Sequence, residues 1–336
     1  MEQPNILVTI PKGPVFDSFF TEELIERLLK LGNVTWNESH RQFTKEELRD
    51  RLKGTDICLT GWGTPQFDEE SLSLADRLRL IAHDAGTVKP MVNDVAFERG
   101  IRVCSGNPVF ARSVAEGAVS YMLAALRRIP YYTDAVKAGQ WPDPAGTRGL
   151  LNRSVGLVGY GMIAQYLADM LKAFGCRIKV FSRHMPAEEL LKKGLEPASM
   201  LDIFQTCDII SLHQGLTGET RRSVGRDFLR SLKDGALLVN TARGGLIDEE
   251  ALADIAEQGN IYAVLDVFEQ EPLPMDSKLR RLKNVMLMPH CAGPTEDRRV
   301  HVTEYLLDDI ERFLRGETLK CEIDAGRARK MTTLVK

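Results

Sequence analysis

Three polar side chains follow closely on three apolar runs. Leu238-Val239-Asn240 leads to Arg243, Val264-Leu265-Asp266 leads to Glu271, and Val285 to Pro289 leads directly to His290. If these runs are parallel strands of one sheet, all three side chains emerge at the same edge. The residue types suit acid–base work on a small anion. A guanidinium grips a carboxylate in a planar, two-pronged way. An imidazole titrates near neutrality, and a carboxylate beside it favours the protonated form. Taken singly, each residue is as easily a surface charge or a turn former, so the grouping carries the meaning.

A second constellation runs from Ser154 to Arg183. An apolar run ends in Gly159-x-Gly161-x-x-Ala164, and Ile163, Leu167, Met170, Leu171 and Phe174 follow at helix spacing up to Gly175. A second apolar run, Ile178 to Phe181, completes a β-α-β unit. In such a unit Gly159 permits the tight turn, Gly161 lets a pyrophosphate approach the backbone, and Ala164 lets the helix pack close to the strand. The amides at the helix start, those of Met162 and Ile163, would hold the phosphates. The spacing therefore predicts a dinucleotide site. At the end of the second strand, enzymes that prefer NAD carry an acid that binds the ribose hydroxyls and repels a 2′-phosphate. Here that position is Ser182, which cannot repel, and Arg183 follows at once with His184 as a further donor. NADP is thus expected over NAD.

The elements that must position these residues alternate along the chain. Apolar runs at 5–10, 33–36, 56–60, 78–82 and 101–103 are separated by helical patterns near 19–31 and 44–53, with Gly32 and Gly54 as stops. Further strands are expected at 208–212, 236–240, 261–266 and 285–288, with Asp248 as a helix N-cap and Gly259 and Gly316 as helix ends. This alternation implies parallel sheets covered on both faces. Two loops at strand ends, Gly61 to Thr64 and Asp84 to Val88, are either walls of a site or simple turns. Ser113 to Ile129 is apolar on nearly every side and is expected to be buried all round, between domains or subunits. A more polar helical arm, Tyr131 to Trp141, follows it.

Composition narrows the partners. The chain has 336 residues, 27% of them charged, and a formal net charge of −3. Its arginine pairs are scattered and offset by acids, which is unlike a nucleic-acid track. The six cysteines show no CxxC and no metal spacing, so no metal is expected and a reducing, cytoplasmic setting is. No run approaches 18 apolar residues, and the N-terminus lacks the pattern of a secretion signal, so no membrane partner is expected.

The motifs occur together in a familiar order. Gly156-x-x-Gly159-x-Gly161, Cys207 to His213, Asn240 to Glu249, Asp266-Val267-Phe268 through Glu271-Pro272, Pro289-His290 and Val114-Ala115-Glu116 resemble the D-isomer-specific 2-hydroxyacid dehydrogenases. The resemblance covers nearly the whole chain. It implies an α/β fold of two doubly wound parallel-sheet domains, with a Rossmann NAD(P)-binding domain (105–293) inserted into a smaller, flavodoxin-like substrate domain (1–104 and 294–336). The active site would lie in the cleft. It also implies hydride transfer between a nicotinamide cofactor and a small 2-keto or D-2-hydroxy acid, in a homodimer formed through the helix near Ser113. Arg243 would anchor the substrate, His290 would exchange its proton and Glu271 would orient His290. The amides of Gly86, Thr87 and Val88 would take the substrate carboxylate. Thr241, Ala242, Arg243, Asp266 and His290 would join Gly159, Gly161, Met162, Ile163, Ser182 and Arg183 on the cofactor side, with Asp266 beside the nicotinamide carboxamide.

Departures from the family pattern bear on the substrate. Thr87-Val88-Lys89 stands where many members have Gly-x-Asp, and Gly215 stands where proline is common. Trp62 and Lys89 are expected to face the substrate. A dinucleotide-sensing, corepressor-like scaffold is the competing reading, and the intact Arg243, Glu271 and His290 weigh against it. Formate dehydrogenase is disfavoured because that branch has Gln at the position of Glu271.

Overall fold

The computed structural model describes residues 3–331. The chain divides into two compact units. One takes the chain as far as Phe110 and again from Pro294, and the other takes Ala111–Gly293. The first expected boundary, after residue 104, thus falls somewhat later, inside the helix Asn107–Leu126.

In the first unit, β1 (Asn5–Pro11), β2 (Asn33–Asn37), β3 (Ile57–Thr60), β4 (Leu80–His83) and β5 (Arg102–Ser105) form a parallel sheet in the order β2-β1-β3-β4-β5. Successive residues serve opposite faces. Ile6, Val8, Ile57, Leu59, Leu80 and Ala82 pack against Phe16, Phe19, Leu28 and the returning helix Val300–Leu314, through Val302, Leu306 and Ile310. Leu7, Cys58, Ile81 and Val103 pack on the other face against Leu48, Leu52 and Ala96. Both faces need cover, so these strands read as continuous apolar runs rather than alternating ones. The late helix supplies part of that cover, which is why both ends of the sequence belong to one core.

The second unit holds β6 (Ser154–Val158), β7 (Arg177–Phe181), β8 (Glu196–Pro197), β9 (Ile209–Leu212), β10 (Leu237–Asn240), β11 (Tyr262–Leu265) and β12 (Val285–Leu287). Their order is β12-β11-β10-β9-β6-β7-β8, all parallel. From β6 the chain first winds outward through β7 and β8, then returns to lay β9 on the other side of β6. Ligands of open α/β sheets sit beyond the carboxyl ends of the strands at such a reversal. The helix Met162–Lys172 starts there, burying Ala164, Leu167, Ala168 and Leu171, and the chain leaves it through Gly175 at a φ of 67°.

The long apolar helix differs from expectation. It begins earlier, at Asn107, and ends at Leu126, before the Arg127-Arg128 pair. Ala115, Ala118, Tyr121, Met122 and Leu126 are buried against the second unit's core, but Val114, Val119 and Leu123 are only partly buried. A helix laid on a sheet covers one stripe of its surface, so these three stay half-buried at its border, and the positions that the helix exposes are the polar Arg112, Glu116 and Ser120. By length and composition alone, with a mean hydropathy of 1.3, the helix would be apolar enough to cross a membrane. The arm that follows is helical over Ile129–Lys137 and exposes Ile129, Tyr131 and Val136, with Trp141 and Leu151 beyond it. Short helices such as Asp94–Glu98, Ala187–Lys192 and Ala325–Lys330 span too few turns for a periodic pattern to reveal them.

Candidate active site

Parallel pairing of β10, β11 and β12 carries Arg243, Glu271 and His290 past the carboxyl ends of neighbouring strands. Asn240 shapes the first loop. Its side chain donates to the Arg243 carbonyl at 2.9 Å and accepts from the Ala242 amide at 3.1 Å, folding the chain back just beyond β10. Gly244 then lies on the second loop, where a Cβ would fall 1.8 Å from the Phe268 carbonyl carbon. Only glycine fits that approach. The Phe268 amide in turn donates to Glu271 Oε1 at 3.0 Å, and Glu271 Oε2 holds His290 Nδ1 at 2.7 Å. With Nδ1 held by the carboxylate, Nε2 is the nitrogen left for a ligand.

Arg243 is largely buried, and burial pulls its guanidinium below the usual range while the Glu271 charge opposes that shift. Nη1 donates to the Ala242 carbonyl at 2.5 Å, whereas the buried Nε has no partner. A buried donor left unpaired costs about 1–3 kcal/mol. An anionic ligand would remove that cost.

His290 stands at a φ of 55°, in the left-handed region that non-glycine residues rarely adopt. Asp266, at the end of β11, holds the turn. Its Oδ1 accepts from the Cys291 amide at 2.8 Å and its Oδ2 from the Ala292 amide at 3.0 Å. Tyr121 of the long helix adds its hydroxyl to Oδ1 at 3.0 Å and lies 3.4 Å from Cys291 Sγ. Burial and the Asp266 charge push the Tyr121 phenol well up. Asp266, expected beside the nicotinamide, thus already receives three protein donors. Tyr121 went unassigned in the sequence. The signal for it is a phenol at helix spacing with the buried Ala118 and Met122, since a buried phenol needs a partner.

The cofactor-side residues line the strand reversal. Gly159, at a φ of 99°, presses against the chain after β9, where a Cβ would sit 2.8 Å from the Gln214 amide nitrogen. A Cβ on Gly161 would meet nothing within 4 Å, so open space faces the backbone where a pyrophosphate would approach. Met162 and Ile163 open the helix behind it. The Thr241 hydroxyl beyond β10 is buried and without a partner. Ala242 follows it in the half-buried loop. These features fit a dinucleotide. Ser182 directly follows β7, and its Oγ accepts from the amides of His184 and Met185 at 3.3 and 3.0 Å. Arg183 pairs with the exposed Glu219 at 2.7 Å. His213 bonds Ser211 Oγ at 2.8 Å, and burial pulls its imidazole down to about 4.

In the first unit, the Gly86–Val88 loop follows β4 directly. Ser105 Oγ donates to the Gly86 carbonyl at 2.5 Å, and the buried His83, held at about 4 by its burial, bonds the backbone of Thr87. Val88 is buried in the core. Lys89 reaches away from this loop, donating to the Arg329 carbonyl at 2.9 Å. The expectation that it faces substrate finds no support in that contact. Cys104, Asp309 and Cys321 bring metal-ligand atoms within 4.8 Å of one another although their spacing in the sequence shows no motif. Asp309 there accepts from the amides of Lys320 and Cys321 and from the Cys321 thiol, so the cluster already satisfies itself as an anchor for the C-terminal segment.

The sheet order and the glycine turn at its reversal define a doubly wound, dinucleotide-binding fold. Residues 119–292 match the NAD binding domain of the D-isomer specific 2-hydroxyacid dehydrogenases. The chain is 36% identical over 319 residues to the D-3-phosphoglycerate dehydrogenase of Methanocaldococcus jannaschii, covering 93% of this chain and 58% of that longer protein. It is 32% identical to the glyoxylate reductase of Aeropyrum pernix, covering 94% and 95% of the two chains. The solved glyoxylate reductase from Paecilomyes thermophila superposes with a TM-score of 0.81 at 26% identity, covering 97% of this chain and 100% of the other. The chain belongs to the D-isomer specific 2-hydroxyacid dehydrogenase family, oxidoreductases that act on the CH–OH group.

Proposed function

We propose that the chain reduces a small 2-keto acid to its D-2-hydroxy acid, or runs the reverse reaction, with a nicotinamide cofactor held by the unit Ala111–Gly293. The single observation that carries this reading is the 2.7 Å bond between His290 and Glu271, with Glu271 fixed from behind by the Phe268 amide. The cofactor supplies or accepts the hydride. His290 Nε2 gives a proton to the oxygen that becomes the hydroxyl, and takes it back in the reverse direction. Glu271 holds the ring and balances the imidazolium charge. Arg243 anchors the substrate's oxygens, with its unpartnered Nε as the donor in waiting. The amides of Gly86, Thr87 and Val88 take the substrate carboxylate, which makes the unit built from both ends of the sequence the substrate-binding one.

NADP is the preferred cofactor in this reading. Ser182 places no carboxylate against a 2′-phosphate, and the Arg183–Glu219 pair is exposed, so exchanging Glu219 for a phosphate costs little. The enzyme works as a homodimer in the cytoplasm. Support for the dimer comes from the exposed Ile129, Tyr131, Val136 and Trp141, together with the half-buried Val114, Val119 and Leu123 of the long helix. Support for the compartment comes from six free cysteines.

The test follows NADPH and NADH absorbance at 340 nm with glyoxylate, hydroxypyruvate and other 2-keto acids. Turnover of at least one, faster with NADPH, is expected, and Ser182→Asp should shift the preference toward NADH. No turnover would overturn the activity, and equal or better use of NADH would overturn the cofactor preference. A monomer by light scattering at micromolar concentration would overturn the dimer.

A further inference from the structure

Among the described residues of the first unit, Lys12 lies over Phe16 and Trp36 and Arg299 against Trp62 and Phe19, neither joined to an acid, and of the two Arg299 also buries an unpartnered donor. Arg299 stands at the start of the helix Val300–Leu314 and, among the described residues, pairs with no carboxylate. Its guanidinium lies 5.5 Å from the centre of the Trp62 ring and 5.9 Å from that of Phe19. Nη1 donates to Ser18 Oγ at 3.2 Å, and the buried Nε has no partner. Two rings and a hydroxyl therefore hold a full positive charge in place without neutralising it. Many arginines in this chain end on an acid, as Arg27 does on Asp308 and Glu311, and Arg102 on Glu322. A charge fixed and left unpaired is organised to receive an anion from outside.

The neighbours indicate which anion. Trp62 follows β3 and keeps 43% of its surface exposed. Its ring meets Phe110 edge-on at 6.0 Å. Phe110 and Asn107 in turn flank Gly86, where a Cβ would come within 3.8 and 3.6 Å of them. One contiguous surface thus runs from the Gly86 backbone through Phe110 and Trp62 to Arg299, at the carboxyl edge of the sheet. Backbone amides lie at one end, apolar rings in the middle and a guanidinium at the other.

We propose that Trp62, Phe110 and Arg299 form the subsite for the far end of the substrate, and that Arg299 selects 2-keto acids carrying a second anionic group, a phosphate ester or a carboxylate. This rests on the 2-keto acid reading above and names the substrate class within it. Glycolate-sized substrates would leave the guanidinium unpaired, whereas a distal phosphate or carboxylate accepts a planar pair of its bonds.

The test compares kcat/KM of the wild-type enzyme for 3-phosphohydroxypyruvate, 2-ketoglutarate, hydroxypyruvate and glyoxylate. At least one of the two dianionic acids should exceed both uncharged-tail acids by tenfold or more, and which of the two leads tells phosphate from carboxylate. Arg299→Gln should erase about 10- to 150-fold of that advantage, the span of one charge-assisted bond, while leaving hydroxypyruvate within about threefold. Arg299→Lys should restore part of it. Wild-type turnover that favours glyoxylate or hydroxypyruvate would overturn the subsite and leave the activity standing, and so would an Arg299→Gln loss equal for all four acids. No turnover of any acid would overturn the activity and the subsite together.

Discussion

Two buried aspartates sit one residue beyond a parallel strand, each heading a loop with a proposed chemical task, and they are treated in opposite ways. Asp266, after β11, takes three donors on its two oxygens. Asp84, after β4, takes the Thr303 hydroxyl at 2.6 Å on Oδ2 and leaves a buried Oδ1 without a partner. Burial is nearly the same, at 1% exposure for each. For Asp84 it pushes the carboxyl up to about 8 against the single hydrogen bond from Thr303, so that side chain is mainly protonated near neutrality. At Asp84 one hydrogen bond does not offset the cost of burying the charged form. The acid that is supplied with donors is the one that must grip a strained turn, since Asp266 bonds the two amides directly after His290.

The contrast predicts unequal responses to substitution. Asp266→Ala should be the most damaging, costing about 3–5 kcal/mol in urea unfolding, because it leaves three buried donors unpaired. It should also lower kcat, since the His290 turn is freed. Stability within about 1 kcal/mol of wild type would show that water replaces the carboxylate and that the turn holds itself. Tyr121→Phe removes one donor of the three and should cost about 1–2 kcal/mol. Cys291 is already exposed, and its alkylation rate should change in that variant because the contact with the Tyr121 hydroxyl is lost; an unchanged rate would separate the phenol from the thiol.

Asp84→Asn should have the smallest effect at pH 7, because an amide resembles a protonated carboxyl. Its stability should depend on pH differently from that of wild type. Below the ordinary value of 3.8 the acid is protonated in both folded and unfolded chains. Between 3.8 and about 8 the unfolded chain has released a proton that the folded chain keeps, so rising pH costs stability. Above about 8 both are ionised and the cost is constant. The stability of wild type relative to Asp84→Asn should therefore fall from about pH 4 to about pH 8 and then level. A difference that stays flat across this window would mean Asp84 is ionised in the folded protein.

Much of this arrangement was readable in the residues themselves. The runs that became β9 to β12 are apolar on both faces because helices cover both sides of a parallel sheet, so continuity alone marked them. Gly159 and Ala164 mark a turn and a close packing that few other residues permit. The long helix is buried less completely than its apolarity suggests, since Val114, Val119 and Leu123 are half-buried and the polar Arg112, Glu116 and Ser120 are exposed. Lys89 and Arg299 show another limit. Nothing in their sequence context says that the first donates to Arg329 while the second lies against Trp62. Those partners lie some 240 residues away in each case, brought near only by the return of the C-terminal segment to the first sheet. The φ of 55° at His290 was equally hidden, since it follows from where Asp266 holds the next two amides.

In the proposed reaction His290, oriented by Glu271, exchanges the substrate's proton. The most direct measurement is kcat of His290→Ala beside wild type, at saturating NADPH and the best keto acid, with the cofactor's dissociation constant measured by fluorescence in parallel. A kcat lower by about 10²- to 10⁴-fold is expected, with cofactor binding within about threefold of wild type. A kcat within about threefold of wild type would contradict it.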